Sequence, residues 1–167
     1  VPHVGVVNLI HGARERGYPP NPTRYGVSAN YVFDLFQFGL FAPLISCGTC
    51  VLLVDSMALI SLVESRVGVT CIDDLPSVVS IARLSRCTEW VEVGGEALTL
   101  ATTERMWAGG QLFNGYGPTE ATIACVGELT TLRNVRWRLN SIGKAYVNVC
   151  CHVRDAYTAQ LQPLGVW

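Results

Sequence analysis

The feature that most limits how this chain can fold is an alternation of short apolar runs with helix-like stretches between Cys50 and Phe113. Cys50-Val51-Leu52-Leu53-Val54 is continuous and branched, the pattern of a strand covered on both faces. Met57 to Glu64 is helix-like, with Ser56 placed to cap it. Val69-Thr70-Cys71-Ile72 reads as the next strand, and Pro76 opens a helix reaching Leu84. Trp90-Val91-Glu92-Val93 is a further strand that ends in Gly94-Gly95-Glu96. Thr99 then caps a helix that Gly109-Gly110 stops, and Leu112-Phe113 ends the last strand of the series. Strands and helices in strict succession with short connections predict an α/β fold, a largely parallel sheet flanked by helices.

The flanking stretches are less regular. Val4 to Ile10 fits a buried strand or the first turns of a helix, and at that length periodicity does not separate the two. Gly12 to Tyr25, with three prolines and three arginines, reads as an exposed connection. Tyr31-Val32-Phe33 reads as a short strand ending at Asp34, and Leu35 to Ile45 as a helix burying most of its surface. Beyond Thr122, Ile123 to Leu129 and Val147 to Val153 read as strands separated by a loop from Asn140 to Lys144.

Composition narrows the function. A 167-residue chain with 50% hydrophobic and 15% charged residues builds one domain with a real core. A net charge of −1 leaves no electrostatic footprint for nucleic acid or a membrane surface. Arg133, Arg136 and Arg138 are the one basic cluster and read as a solvated loop. No apolar run reaches the length of a membrane span. Cys47-Gly-Thr-Cys50 lacks the second pair that a structural zinc site needs. The seven cysteines therefore read as buried free thiols of a reducing, cytoplasmic compartment, with metal and disulfide roles as the alternatives. His3, His11 and His152 offer no nucleophile–base arrangement. A start at Val1 and an end at Trp167 with no closing helix suggest a piece of a longer protein.

The stretch Leu112-Phe113-Asn114-Gly115-Tyr116-Gly117-Pro118-Thr119-Glu120-Ala121-Thr122 concentrates the chemistry. Its glycines let a ligand approach the main chain. Thr119 offers a hydroxyl, and Glu120 an acceptor-only carboxylate suited to a hard cation. Together with the Tyr116 ring at a strand end, they make a nucleotide-phosphate site. The simpler alternative is a glycine-rich turn with Tyr116 in the core and Glu120 solvated. Asp34, Asp73, Gly94-Gly95 and Asn114 to Glu120 all follow predicted strands, where parallel sheets collect ligands. Asp34 and Asp73 also suit helix caps, and the apolar neighbours suit ordinary core.

The string Asn-Gly-Tyr-Gly-Pro-Thr-Glu resembles the fifth core motif of amino-acid adenylation domains of nonribosomal peptide synthetases, within the adenylate-forming enzymes. Phe33-Asp34 resembles the fourth motif, and Val93-Gly94-Gly95-Glu96-Ala97-Leu98 the strand and turn that line the adenine pocket. Ser141-Ile142-Gly143-Lys144 and Gln162-Pro163-Leu164-Gly165 are similar to the approach to the sixth. The resemblance covers nearly the whole chain. It implies that residues 1–167 form a single partial AMP-binding domain, without the upstream phosphate loop or the small carboxyl-terminal domain.

By that resemblance, Tyr116 lies against adenine, with the Gly94-Gly95-Glu96 backbone on its other side, and Asn114 bonds the adenine amino group. Gly115 and Gly117 belong to the same nucleotide loop. Thr119 contacts phosphate and Glu120 holds Mg²⁺. Asp34 pairs with the substrate α-ammonium. The side-chain pocket is lined by Leu35, Phe38, Asp73, Val91, Val93, Gly115, Ile123 and Ala124. Its apolar members favour an apolar side chain, whereas Asp73 favours a polar or cationic one.

The implied reaction joins an amino acid to ATP, giving aminoacyl-AMP and pyrophosphate. The aminoacyl group then loads the phosphopantetheine arm of a carrier protein, beside condensation domains of the parent synthetase. The isolated polypeptide is expected to show no pyrophosphate exchange. Two other readings stand beside this one: a fragment of an acyl or aryl acid ligase of the same superfamily, and a non-catalytic α/β binding module.

Overall fold

The computed structural model describes residues 1–19, 23–64, 68–106, 110–131, 134, 136 and 141–162. Seven strands form one sheet in the order β2-β1-β3-β4-β5-β6-β7. They are β1 (Arg24–Val27), β2 (Thr49–Leu52), β3 (Cys71–Asp74), β4 (Trp90–Val93), β5 (Gln111–Tyr116), β6 (Val126–Thr130) and β7 (Lys144–Ala145). The pairings from β2 through β5 are parallel, and β5–β6 and β6–β7 are antiparallel. This is the largely parallel, helix-flanked sheet predicted from the alternation. Only residues 117–125 join β5 to β6, too few for a crossover, so the chain returns antiparallel.

Strand alternation divides the core in two. Tyr25, Val27, Cys71, Trp90 and Phe113 pack with Leu9, Ile10 and Ala13 of α1 (His3–Glu15) and with Phe38 and Ala42 of α2 (Leu35–Ile45). An aromatic row runs through that layer. Phe38 meets Tyr18 edge-on at 5.7 Å, and Trp90 stacks on Phe113 at 5.2 Å. On the other side, Ile72, Val91, Val93 and Leu112 pack with Leu59, Val79 and Leu98. That layer is closed by α3 (Pro76–Val79) and the 3₁₀ helix Ser56–Glu64, and α4 (Leu100–Met106) packs against α3. No helix among the described residues is long and apolar enough to cross a membrane.

Several elements differ from expectation, for physical reasons. The ambiguous run at Val4 to Ile10 is helical, with Leu9, Ile10 and Ala13 buried at helical spacing. The supposed exposed connection contains the rest of α1 and all of β1, and Tyr18 and Tyr25 are fully buried. Tyr31-Val32-Phe33 is an exposed turn, not a strand. Asn30 dictates it: its side chain accepts the Val32 N–H at 3.1 Å and its carbonyl accepts the Phe33 N–H at 2.9 Å.

The Cys50–Val54 run forms an edge strand rather than a doubly covered one, with Leu52 67% and Val54 96% exposed. Ser56 does not cap the helix after it. Asp55 Oδ1 accepts the Ala58 N–H, while Ser56 Oγ donates to Asp74. Thr99 does cap α4, accepting the Thr102 N–H at 3.2 Å. The helix at Pro76 stops at Val79, short of Leu84. Residues 147–153 are irregular, and β7 stands just before them, anchored by the buried Tyr146. All seven cysteines are free, but only Cys71 is buried; Cys47, Cys87, Cys150 and Cys151 are exposed. The assignments at Gly109, Arg133, Arg138, Asn140 and 163–165 fall outside the described residues.

Candidate functional site

A cleft of about 280 Å³ opens at the carboxyl ends of β3, β4 and β5, against the amino end of α2. The sheet order reverses between β1 and β3, because β2 lies on one side of β1 and β3 on the other. In open α/β sheets, ligands bind beside such a switch point. Asp34 and Leu35 at the start of α2 and Asp73 on β3 line this part of the cleft. Val93, Gly94 and Gly95 end β4 above it, while Gly115, Gly117, Ile123 and Ala124 close the far wall.

Two sequence-predicted members of the pocket lie elsewhere. Phe38 is buried in the aromatic row beneath the cleft and does not line it. Val91 points into the opposite core layer. The inward residue of that strand is Glu92, which the sequence reading passed over. The available signal was the period of two, because Trp90 and Glu92 must share a face opposite Val91 and Val93.

Parity also brings Glu92 beside Asp73. The two are in register on adjacent parallel strands and face the same side. Both are almost wholly buried. Neither oxygen of Asp73 nor Oε2 of Glu92 has a hydrogen-bond partner among the described residues. The Tyr25 hydroxyl lies near enough to temper the Asp73 carboxyl but falls short of a formed bond. Burial, reinforced by Glu92, holds Asp73 well above the usual carboxylate range. Burial lifts Glu92 from 4.5 to about 7. Asp74, on the other face, is fully served: Ser28 and Ser56 each donate to Oδ2 at 2.7 Å, and the Leu75 N–H to Oδ1 at 2.8 Å.

The raised Glu92 gives a stability prediction with a definite sign. The native state holds the proton more tightly than the unfolded chain, so its contribution is complete below about pH 4.5 and is lost as pH rises through about 7. Glu92→Gln removes that loss. Its gain in unfolding free energy over the parent should be near zero at about pH 4 and climb to roughly 3 kcal/mol above pH 7, measured by urea titration. A difference that does not change with pH would refute the assignment.

Local backbone also serves the cleft. Thr122 and Ile123 both adopt left-handed conformations, with φ of 66° and 68°. For β-branched residues this is strained, and two in succession turn Ile123 and Ala124 toward the cleft wall. Thr122→Gly should raise unfolding free energy by about 1 kcal/mol in chemical denaturation. A loss instead would mean that packing of Thr122 against Gly5 outweighs the strain. Gly95 has φ 78°, and a side chain at Gly94 would stand 2.8 Å from the Gly115 carbonyl oxygen. The two strand-end loops can approach each other only without side chains there.

The remaining motif residues are not part of the cleft lining. Asn114 and Tyr116 fall on the face opposite Asp73, and β5 runs through them rather than ending at Phe113. The Asn114 amide donates to the Ser141 carbonyl at 3.3 Å, which leaves its Oδ1 free to accept. Tyr116 is half exposed. Thr119 and Glu120 stand exposed on a 3₁₀ turn, Thr119–Ala121, and their side chains make no hydrogen bond or ion pair among the described residues. Glu96 reaches back to α3, accepting from the Ser77 N–H at 3.1 Å and its hydroxyl at 3.0 Å, which fixes the Gly94-Gly95 turn. No group of three or more metal-ligating side chains occurs among the described residues. A single free carboxylate does fit Mg²⁺, which keeps waters and takes phosphate oxygens as its other ligands. Cys71 offers no nucleophile, since burial lifts its thiol to about 12.

Comparison with known proteins accords with this architecture. The AMP-binding enzyme family matches residues 1–166, and the chain belongs to that family of adenylate-forming enzymes. Tyrocidine synthase 3 of Brevibacillus parabrevis is 31% identical over 182 residues, covering 99% of this chain and 3% of that protein. The aldehyde reductase lnaA of Aspergillus flavus is 29% identical over 160 residues, covering 88% of this chain and 15% of that protein. The amide bond synthetase McbA of Marinactinospora thermotolerans shares the fold with a TM-score of 0.78 at 21% identity, over 97% of this chain and 35% of McbA. The chain thus spans a small part of the length of its relatives.

Proposed function

We propose that the chain forms the amino-acid and adenine walls of an adenylation domain that converts an amino acid and ATP to aminoacyl-AMP and pyrophosphate, for loading onto a carrier protein's phosphopantetheine. The observation that carries this reading is how strand parity sorts residues around one cleft. Asp34 and the buried face of β3 and β4 line it together with Gly115 and Gly117, while Asn114 and Tyr116 alternate onto the opposite face of β5 and Thr119 and Glu120 follow on the exposed turn. A small acid and a nucleotide would thus meet over Gly115 and Gly117, where bare backbone lets both approach.

In this reading Asp34 accepts from the α-ammonium, which fixes the carboxylate end of the amino acid toward the rim. Leu35, Ile123 and Ala124 exclude water around the substrate chain. Asn114 Oδ1 accepts from the adenine amino group, and Tyr116 covers the ring. A carboxylate oxygen attacks the α-phosphorus, the bond to the bridging oxygen breaks, and pyrophosphate leaves. The domain provides no nucleophile of its own; its work is to hold two mutually repelling anions in line. Thr119 donates to phosphate, and Glu120 would hold Mg²⁺, which when bound neutralises charge on the phosphate oxygens. Relatives whose names describe an aldehyde reductase, a tyrocidine synthase and an amide bond synthetase are compatible with one shared activation step and different later fates.

The test is amino-acid-dependent exchange of pyrophosphate into ATP by the full-length protein that contains this chain. Exchange with at least one amino acid is expected. Failure with every amino acid of a panel that includes diamino acids would overturn the reading.

A further inference from the structure

We infer that Asp73 and Glu92 together form a subsite for a positively charged substrate side chain, so that the amino acid selected carries a second cation, an ammonium or a guanidinium. This rests on the amino-acid-activating reading above and names its substrate class. Three observations carry it. The two carboxyl groups are in register on neighbouring strands, face one side of the sheet and both line the cleft. Both belong to nearly fully buried residues, and three of their four oxygens lack any hydrogen-bond partner among the described residues. Finally, the cleft lining includes four acidic residues, Asp34, Asp73, Asp74 and Glu92, and, among the described residues, no lysine, arginine or histidine.

Buried carboxyl groups without partners are costly, and persist where a ligand completes them. Asp74 is completed internally by two serines and a backbone N–H, so it is not available. Asp73 and Glu92 are the pair left open: the Tyr25 hydroxyl and the Trp90 indole N–H stand close enough to temper them but form no hydrogen bond with them. Glycine at position 115 keeps that pair accessible, since a methyl there would stand 2.9 Å from Glu92 Oε1. Asp34, at the mouth, would take the α-ammonium, and the inner pair would take the distal cation. Leu35, Ile123 and Ala124 would line the methylene stem between them. A neutral chain of the same length would leave both acids unsatisfied.

The experiment compares L-ornithine with L-norleucine, its neutral isostere, in the full-length protein, by titration calorimetry and by pyrophosphate exchange; L-lysine and L-arginine extend the cationic series. At least one cationic amino acid should bind and exchange about 30-fold or more better than norleucine. The double variant Asp73→Asn/Glu92→Gln should lose that preference, weakening the cationic substrate and gaining norleucine. Equal or better use of norleucine by the unmodified protein would overturn the inference while leaving amino-acid activation standing. A preference that survives the double variant would also overturn it. Selective binding of a cationic amino acid without exchange would support the subsite and count against the activation reading. No binding of any amino acid would overturn both.

Discussion

Replacing Glu120 with alanine in the full-length protein is expected to lower amino-acid-dependent pyrophosphate exchange by about 10²- to 10³-fold. The carboxylate stands exposed on the turn after β5 with no partner among the described residues, so alanine removes no packing and leaves no orphaned donor among them. Stability should therefore move by less than about 0.5 kcal/mol. The loss should be concentrated in the reaction step, because a charge held on the phosphates matters most when the in-line displacement redistributes it. Equilibrium binding of the amino acid alone should be unchanged, since Asp34 and the Asp73–Glu92 pair are untouched. Exchange within a few-fold of the parent would show that Glu120 is only a solvated turn residue and would remove the metal role from it.

The second large effect concerns Asp34. Its side chain makes no cap hydrogen bond at the start of α2, although it occupies the capping position and the backbone there is helical. A carboxylate free of capping work, facing a cleft, is available to an ammonium ion. Asp34→Asn keeps the shape and removes the charge. The specificity constant kcat/KM for the preferred amino acid should fall by about 100-fold, with ATP binding intact. The matching acid without an α-amino group should be used no worse by the variant than by the parent. If the parent already prefers that deaminated acid, the protein is an acyl or aryl acid ligase of the same superfamily, and Asp34 has no role in recognition.

Much of the sheet was legible because buried parallel strands are written as continuous branched runs. Trp90–Val93 and the helix Leu35–Ile45 carry unmistakable patterns, and both occur with the predicted bounds. What hid β1 was its company: four residues including Gly26, just after a stretch crowded with prolines and arginines. The opposite error at Tyr31-Val32-Phe33 came from reading side-chain type without the Asn30 turn that precedes it. Exposure of the Cys50–Val54 run could not be read from its letters either, since edge and centre differ only in what lies alongside.

The site divided along a similar line. The residues of the glycine-rich string were conspicuous as types and spacing, and so were Asp34 and Asp73. Glu92 was not, since a lone acid within Trp-Val-Glu-Val looks like the solvent face of a strand. Only the core on both sides of β4 reveals that this carboxyl points inward. Tertiary burial, which no local pattern encodes, turned a solvated residue into a buried and unpartnered one.

That in-register pairing on β3 and β4 has a structural corollary. Slipping β4 by a single position against its neighbours would withdraw the acid and present a valine to the same void. It would also pull Trp90 out of the aromatic row and drive it into the valine layer, so the packing of both layers holds that carboxyl in place. The interior of the sheet thereby ties the charge of the void to the phase of one pleat.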